Sequence, residues 1–284
     1  MKKITALSLA LVLILSALSL SACGDKTPAG NGAGNASNGA ANELDTNNSE
    51  ESVYATVAKA IENTLKAKSY DADIDTLLKT DLMGTKSENS ADVNIKATAL
   101  DTDKPKALAT GKRTMEGYTV DLKEYFDGEW RYFGNAEQGT YKTKCSFAEY
   151  AKEVGAPQSI VVALPEALFA NAESKKNNDG SLTVTLAADE ATIESLYKDV
   201  VTAIVYDVCG EDLNQATTKN GAIVVTVADG YVKEFKVSFV SEITAGSDKV
   251  TYDSSNSVTF NSCGKDVTVT APANLGNYYE MDQY

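Results

Sequence analysis

Hydrophobic and polar residues alternate along two long stretches of the chain, and this alternation predicts β-strands. From Tyr70 to Tyr141, five short runs have a period near two and are separated by turn sequences such as Asp127-Gly128. A second group of alternating runs surrounds Asp229-Gly230 and ends with a strand expected at 265–272. Because successive side chains of a strand point to opposite faces and Asp-Gly favours hairpin turns, each group predicts an antiparallel meander with one buried face.

A helical period precedes and separates these strands. Apolar residues recur every four positions from Val53 to Leu65 and predict an amphipathic helix. Residues 147–155 and 158–173 also have a helical pattern, which prolines interrupt. After a further strand, a longer helix is predicted from Asp189 to Gly210. This order of helix, meander, helices, strand, long helix and meander predicts an α+β fold.

The first residues predict an export signal followed by a lipid anchor. Lys2 and Lys3 precede an uncharged apolar run, and residues 1–22 end in small residues immediately before Cys23. This arrangement matches a bacterial lipobox, whose cysteine receives a diacylglyceryl group. We expect residues 1–22 to be a lipoprotein signal peptide. Cys23 would then carry acyl chains such as palmitate on the outer face of a bacterial cell membrane of the Gram-positive type. The alternative is an ordinary secretory signal with an incidental cysteine.

Composition divides the rest of the chain into a linker and a folded domain. Residues 23–50 consist mainly of Gly, Asn, Ala and Ser, which bury too little apolar surface to offset the entropy of ordering. They predict a flexible linker with a reach of roughly 30 Å. Residues 51–284 carry the alternating and helical patterns and are numerous enough for one domain with a large core.

Charge and composition exclude several classes of function. The chain has no histidine, 40 acidic and 26 basic residues, and a formal charge of −14. The absence of histidine removes Ser-His-Asp catalysis, Cys-His catalysis and histidine-bound zinc. The negative charge argues against a nucleic-acid partner. Residues 51–284 contain no phosphate-binding loop, dinucleotide fingerprint or nucleophile elbow, so we expect no cofactor and no enzymatic activity.

One group of alternating carboxylates is a candidate for metal binding. Asp71, Asp73 and Asp75 lie at every second position. An EF-hand loop requires a glycine at its sixth position and a glutamate at its twelfth, and here Thr76 and Leu82 occupy those positions. We therefore interpret the three aspartates as the solvated face of a strand and expect no metal site.

Three cysteines remain if Cys23 is acylated, namely Cys145, Cys209 and Cys263. They lack the C-x-x-C spacing of redox motifs and of thiolate metal sites. Outside the membrane they allow one disulfide in three pairings. We favour a disulfide between Cys145 and Cys209, because it would join the start of one helix to the end of another. The alternative is that all three thiols stay reduced.

The order of elements resembles that of the LolA-like lipoproteins, a group that includes LolA, the mycobacterial LppX and LprG, and many Firmicute lipoproteins. The resemblance rests on YFDGEWRYF in the first sheet half, on VADGYVKEFKVSF followed by VTVTAP in the second, and on the lipobox. It covers roughly residues 51–275. It implies a strongly curved antiparallel sheet that does not close, with helices across its concave face. It also implies an apolar cavity that holds acyl chains, and no catalytic residues.

Large apolar side chains on the predicted strands are the candidate lining of a ligand pocket. They are Tyr118, Leu122, Phe126, Trp130, Tyr132, Phe235 and Phe239. One hypothesis is a non-catalytic, membrane-anchored lipoprotein that binds a lipid-like or other apolar ligand in the half-barrel. Its alternative is an envelope interaction or sensing protein whose own side chains fill the core. A cavity of about 300 Å³ or more would favour the first. An enzyme with paired carboxylates is a third hypothesis, for which no pair stands out.

Overall fold

One twelve-stranded sheet forms the main body of the residues that the structure describes. The computed structural model describes residues 52–115, 117–135, 139–197, 216–245 and 248–281. The strands are β1 (Tyr70–Leu82), β2 (Thr85–Thr98), β3 (Lys106–Met115), β4 (Tyr118–Phe126), β5 (Trp130–Asn135), β6 (Gly139–Lys144), β7 (Glu173–Lys176), β8 (Leu182–Ala188), β9 (Ala216–Ala228), β10 (Tyr231–Ala245), β11 (Asp248–Cys263) and β12 (Tyr279–Glu280).

The strands follow the order β12-β6-β5-β4-β3-β2-β1-β11-β10-β9-β8-β7 across the sheet. Neighbouring strands are antiparallel, apart from the short parallel pair of β12 and β6. The edge strands β12 and β7 do not pair with each other, so the curved sheet stays open. The two predicted meanders meet at the centre, where β1 pairs with β11. The expected α+β half-barrel architecture is confirmed.

Helices cover one face of this sheet, which we call the concave face, and leave the opposite, convex face to solvent. Helix α1 (Val53–Leu65) packs on β9 and β10, and helix α2 (Phe147–Val154) packs on β4. Residues 190–197 form helix α3, whose Tyr197 ring stacks on Phe239, and the rest of the helix predicted to Gly210 lies outside the described residues. Among the described helices, none combines the length and the apolar character needed to span a membrane.

The register of the strands determines which side chains reach the concave face. Ala72 of β1 lies opposite Ile95 of β2, which lies opposite Ala109 of β3, and all three are buried. The positions one residue away, such as Asp73 and Asn94, point to the convex face. Because side chains alternate along a strand, this single register separates an apolar concave face from a polar convex face.

Local sequence signals explain where α1 and α2 begin and end. The Ser52 hydroxyl caps α1 by accepting a hydrogen bond from the Ala55 backbone N–H at 3.1 Å. Ser146 and Glu149 form a capping box at the start of α2. Gly155 ends α2 with a φ of 70°, a conformation that glycine adopts without steric cost.

Two predicted elements are wrong. The stretch 158–173 is not helical throughout: 3₁₀ turns at Pro157–Ser159 and Glu166–Asn171 flank an extended segment, because each proline removes a backbone donor. The segment 265–272 is not a strand. It follows β11, whose two edges are already occupied by β1 and β10, so the chain leaves the sheet there. The later residues instead form β12, which pairs with β6.

Candidate functional site

The floor of the concave face is apolar along its whole width but changes in side-chain size from one half to the other. On β10, Phe235 and Phe239 are buried, and they face Val258 and Ser254 of β11. On β3 the corresponding positions carry the small residues Ala107 and Ala109, and on β2 the small Ala91 and Ala97 flank Val93 and Ile95. The strands of the second meander therefore fill the interior themselves, whereas those of the first leave room for other groups.

Aromatic rings from α2 occupy the room above the small residues. Tyr150 stacks on Phe126 with ring centroids 5.3 Å apart, and Phe147 lies 5.8 Å from the same Phe126 ring. The Tyr150 hydroxyl donates a hydrogen bond to the backbone oxygen of Glu124 at 3.2 Å. Burial raises the pKa of Tyr150 well above its ordinary value, so the phenol remains protonated.

A cavity of about 220 Å³ opens between the end of α1 and the start of α2. Its walls combine the apolar Leu65, Ala67, Leu100 and Phe147 with the polar Lys66, Asp101 and Gln158. Leu65 is 40% exposed, which is high for a leucine at the end of a buried stripe. Next to the cavity, the Tyr70 hydroxyl donates a weak hydrogen bond to Gln158 Oε1 at 3.4 Å, and its ring packs edge-on to Phe260. The cavity is therefore open to the surface and lies next to the buried Tyr70 of the core.

Three charged side chains of the concave face, Arg113, Glu124 and Arg131, lie beside α2, and the two arginines contact its residue Glu153. Arg131 binds the Glu124 carboxylate through two nitrogens, at 2.7 and 3.2 Å, and lies 3.3 Å from a carboxylate oxygen of Glu153. Arg113 donates to the Glu153 backbone oxygen at 2.9 Å. Its Nε is buried and has no hydrogen-bond partner in the described part of the chain. This cluster places two cations and one carboxylate under α2, and a second, partly exposed carboxylate on α2 itself.

Burial and charge act in opposite directions on the two arginines. Burial lowers the pKa of Arg113, and the neighbouring Arg131 lowers it further, against the attraction of Glu124 and Glu153. Burial would also lower the pKa of Arg131, but its ion pair and hydrogen bonds with Glu124 outweigh that effect and raise it. Arg131 is therefore firmly paired, whereas Arg113 is the less well satisfied of the two.

The structure divides the predicted lining residues between the two faces of the sheet. Phe126, Leu122 and Tyr118 lie on the concave face of β4, in line with Phe235 and Phe239 on β10. Three of them, Phe126, Phe235 and Phe239, are fully buried, whereas Tyr118 is 79% exposed at the end of the β3–β4 hairpin. Phe126, Phe235 and Phe239 belong to one hydrophobic core, Leu122 packs against that core, and Tyr118 lies outside it.

Trp130 and Tyr132 point to the convex face. Phe126 lies opposite Arg131 in the β4–β5 pair, which places the odd-numbered residues of β5 on the concave face. The Tyr132 ring packs against Tyr278, and its hydroxyl donates to Asp127 at 2.8 Å. The alternation of EWRYF is compatible with either orientation, and the turn after Phe126 decides between them.

Sequence reasoning missed the charged cluster. On β4, Glu124 lies two positions from both Leu122 and Phe126, so the alternation places its carboxylate on the same buried face. A charge at an apolar position of an alternating strand is the signal that could have found it. The cavity between α1 and α2 had no comparable signal, because it depends on how two helices distant in sequence pack.

The aspartates of β1 behave as the sequence predicts and lie on the convex face. The Asn94 amide donates to both Asp71 and Asp73 at 2.8 Å, and Asn261 donates to Asp73 at 2.8 Å. Burial and the nearby Asp92 raise the pKa of Asp75. Over the described residues, no group of three or more acidic or cysteine side chains has the arrangement of a metal site.

Two of the cysteines are described, and both are free thiols. Cys145 precedes α2, and Cys263 is buried at the end of β11. Burial raises the pKa of each thiol to about 11. The predicted lipidation at Cys23 and the predicted disulfide partner Cys209 lie outside the described residues.

No protein-family model matches the chain, and no curated protein matches its sequence. Among solved structures, LprF from Mycobacterium bovis is similar with a TM-score of 0.41 at 13% identity, over 78% of this chain and 97% of that chain. A structure described as lipid-protein interactions in lipovitellin gives a TM-score of 0.34 at 7% identity, over 73% and 26% of the two chains. A LolA superfamily protein from Nitrosomonas europaea gives 0.25 at 9% identity, over 75% and 93%. The expected LolA-like resemblance is found again, and at these values it concerns the fold alone.

Proposed function

We propose that this protein is a non-catalytic, membrane-anchored lipoprotein that binds a lipid-like ligand between the concave face of its sheet and helices α1 and α2. The observation that carries the proposal is the cavity between these helices, which is lined by Leu65, Leu100 and Phe147 and lies next to the hydrophobic core. A LolA-like half-barrel with such an opening suits an acyl chain better than a polar substrate.

The driving force for binding would be the burial of the acyl chain. Each buried CH₂ contributes about 0.8 kcal/mol, which is close to a fourfold change in affinity. The cavity of about 220 Å³ is smaller than the roughly 300 Å³ of a common ligand pocket. Binding a long chain therefore requires α2 to move away from β4, and Tyr150 and Phe147 to give up their positions over the small residues.

The anchor and the linker determine where this binding takes place. Acylation of Cys23 would tether the domain to the membrane, and residues 23–50 would let it reach about 30 Å from the lipid surface. The half-barrel would then exchange lipid-like molecules with the membrane or with its surroundings while staying at the cell surface. No catalytic group and no cofactor enters this role.

A direct test uses the full mature chain with Cys23→Ser, purified from cells and examined by native mass spectrometry. We expect masses that correspond to bound lipid. Titration with saturated fatty acids of increasing length should then show affinity rising about fourfold for each added CH₂ until the cavity is full. The length at which the rise stops measures the depth of the site. Absence of co-purified lipid, together with no length dependence, would contradict the proposal.

A matched pair of variants localises the site. Ala67→Leu adds bulk inside the cavity, whereas Ala148→Leu makes the same change at an exposed position of α2. We expect the first to weaken fatty-acid binding about tenfold and the second to leave it within twofold. Equal effects of both variants would place the ligand elsewhere.

One observation favours a second candidate, an envelope interaction protein with a filled core. The interior is occupied by its own rings, as in the stacks of Tyr150 on Phe126 and Tyr197 on Phe239. If this packing is permanent, fatty acids will not bind at any length. The titration therefore also decides between the two candidates.

A further inference from the structure

A straight row of polar side chains crosses five strands on the convex face, on the opposite side of the sheet from the proposed lipid site. The register places these residues directly opposite one another, strand by strand: Lys175 (β7), Thr183 (β8), Thr226 (β9), Glu234 (β10) and Thr259 (β11). Neighbouring strands lie about 4.8 Å apart, so the row is about 19 Å long. Polar groups thus follow one another at regular intervals along a line.

The β7–β8 hairpin turns this row into a groove. Together with the row, residues Asn177, Asn178, Asp179, Ser181 and Lys233 line an open cavity of about 650 Å³, which we call the polar groove. All ten lining residues are polar or charged, in contrast to the mostly apolar lining of common ligand pockets. Two of them, Ser181 and Thr226, are 3% and 7% exposed, so the floor of the groove is built into the fold.

Hydrogen bonds hold the wall of the groove in place. The Asn177 amide donates to the hydroxyls of Ser181 and Thr183, both at 2.9 Å. Asp179 accepts from the Ser181 hydroxyl at 2.6 Å and from Lys233 at 2.9 Å. The last contact ties the hairpin to β10. A wall fixed in this way loses little entropy when a ligand binds.

Other groups of the groove have no hydrogen-bond partner within the described ranges. These are the Lys175 ammonium, the Asn178 amide, the Glu234 carboxylate and the Thr259 hydroxyl. Lys175 can only donate hydrogen bonds, Glu234 can only accept them, and Asn178 and Thr259 can do both. Three of the four lie in the row and Asn178 lies in the hairpin beside it, so a ligand that satisfies all four must itself donate and accept at several points.

We propose that the polar groove binds a neutral oligosaccharide. Each hydroxyl of a sugar both donates and accepts a hydrogen bond, which suits a groove whose free groups include a donor, an acceptor and two groups that do both. The two lysines and two carboxylates of the groove balance each other, so neither an anion nor a cation gains from net charge. This site is independent of the proposed lipid site, because it lies on the other face of the sheet.

The affinity of such a site is set by a few hydrogen bonds. Loss of one hydrogen bond to a ligand should weaken binding by about fivefold to tenfold. Four free groups with bonds of this strength predict a dissociation constant in the millimolar range, which NMR titration measures well.

The test is a titration of the full mature chain carrying Cys23→Ser, followed through backbone amide shifts. The probes are maltotetraose and chitotetraose as neutral oligosaccharides, with inorganic phosphate and spermidine as an anion and a cation. We expect at least one oligosaccharide to shift the amides of β7 to β11 around the groove. No shift with either oligosaccharide up to about 20 mM, or equal shifts with phosphate or spermidine, would overturn the proposal.

Adjacent lysines of β7 provide a matched control. Lys175 points into the groove, whereas Lys176 lies next to it on the same exposed strand and points to the other face. Lys175→Met should weaken oligosaccharide binding about fivefold to tenfold, and Lys176→Met should leave it unchanged. Neither variant should alter fatty-acid binding. Equal behaviour of the two variants towards the oligosaccharide would overturn the assignment of the site.

Discussion

Helices α1 and α2 rest on opposite halves of the sheet and are held there in different ways. Helix α1 has thirteen residues, buries Val57 and Ile61, and is fixed to β10 because the Thr64 hydroxyl accepts a hydrogen bond from the Val232 N–H at 2.9 Å. Helix α2 has eight residues and buries only Tyr150 and Val154. One helix is therefore part of the core, whereas the other is a short cover.

The strands below the helices differ in the same sense. Under α1, large side chains such as Phe235 fill the space by themselves. Under α2, small residues leave space that rings and ion pairs occupy, and Arg113 keeps an unsatisfied buried Nε. Because an unpartnered buried donor and a short helix both lower local stability, we infer that the α2 side is the one that opens. A lipid-like ligand would therefore enter the proposed site from the α2 side.

The largest expected effect tests whether the α1 half is the stable one. Phe235→Ala should lower the free energy of unfolding by about 4 kcal/mol, because it empties a fully buried position. Tyr118→Ala changes an aromatic residue on the same face of the sheet, but one exposed at a hairpin end, and should cost no more than about 0.5 kcal/mol. Urea unfolding of both variants measures the difference, and similar losses would contradict the division.

The next effect concerns the ion pairs under α2. Glu124→Ala leaves Arg131 in the interior with only Glu153 as a partner and should destabilise the fold by about 3 kcal/mol. The double variant Glu124→Leu and Arg131→Met replaces the pair with apolar groups and should cost clearly less than Glu124→Ala alone. Urea unfolding again provides the measurement. A double variant as unstable as the single one would show that the pair contributes by shape and not by charge.

Part of this architecture follows directly from the sequence. Alternation in the runs after Tyr70 and around Asp229-Gly230 predicts the two meanders, because burying one face of a sheet imposes a period of two. The same rule assigns Tyr118, Leu122 and Phe126 to one face of β4. The element order and the lipobox are enough to suggest the half-barrel, since each depends on local patterns.

The remaining features depend on contacts between distant residues. The turn between β4 and β5 determines which face Trp130 and Tyr132 occupy, because the alternation of β5 fits either face. The absence of a strand at 265–272 follows from β11 being paired on both sides, and no local pattern reveals that. The cavity between α1 and α2 and the polar groove both require knowledge of which strands are neighbours.

A smaller effect, the loss of an N-cap hydroxyl, compares the local stability of helices α1 and α2. Ser52→Ala and Ser146→Ala each remove an N-cap hydroxyl and should each cost about 1 kcal/mol. Hydrogen exchange should distinguish them, because a short cover can open without the rest of the fold. We expect Ser146→Ala to accelerate exchange in α2 alone. In the Ser52→Ala variant, exchange in α1 should rise only by the amount that the loss of global stability predicts. Equal local acceleration in both helices would argue against α2 as the mobile one.

The smallest expected effect uses the two described thiols, Cys145 and Cys263, as probes of helices α2 and α1. Cys145 is partly buried beside the start of α2, whereas Cys263 is buried close to Thr64 of α1. Burial raises the pKa of both thiols to about 11, from about 8.5 in an unfolded chain. The thiols are therefore protonated at pH 8, and direct alkylation is slow.

Their protonation also links stability to pH. Below about pH 8.5 both thiols are neutral in the folded and the unfolded chain, so the advantage of burying them is fully present. Between that pH and about 11 only the unfolded chain loses the protons, so stability falls as the pH rises.

Peptide-resolved alkylation with iodoacetamide at pH 8 should label Cys145 several times faster than Cys263, because opening of α2 exposes the first while the second requires α1 to leave β10. A faster reaction at Cys263 would reverse the assignment of the two helices and move the entry of the ligand to the α1 side.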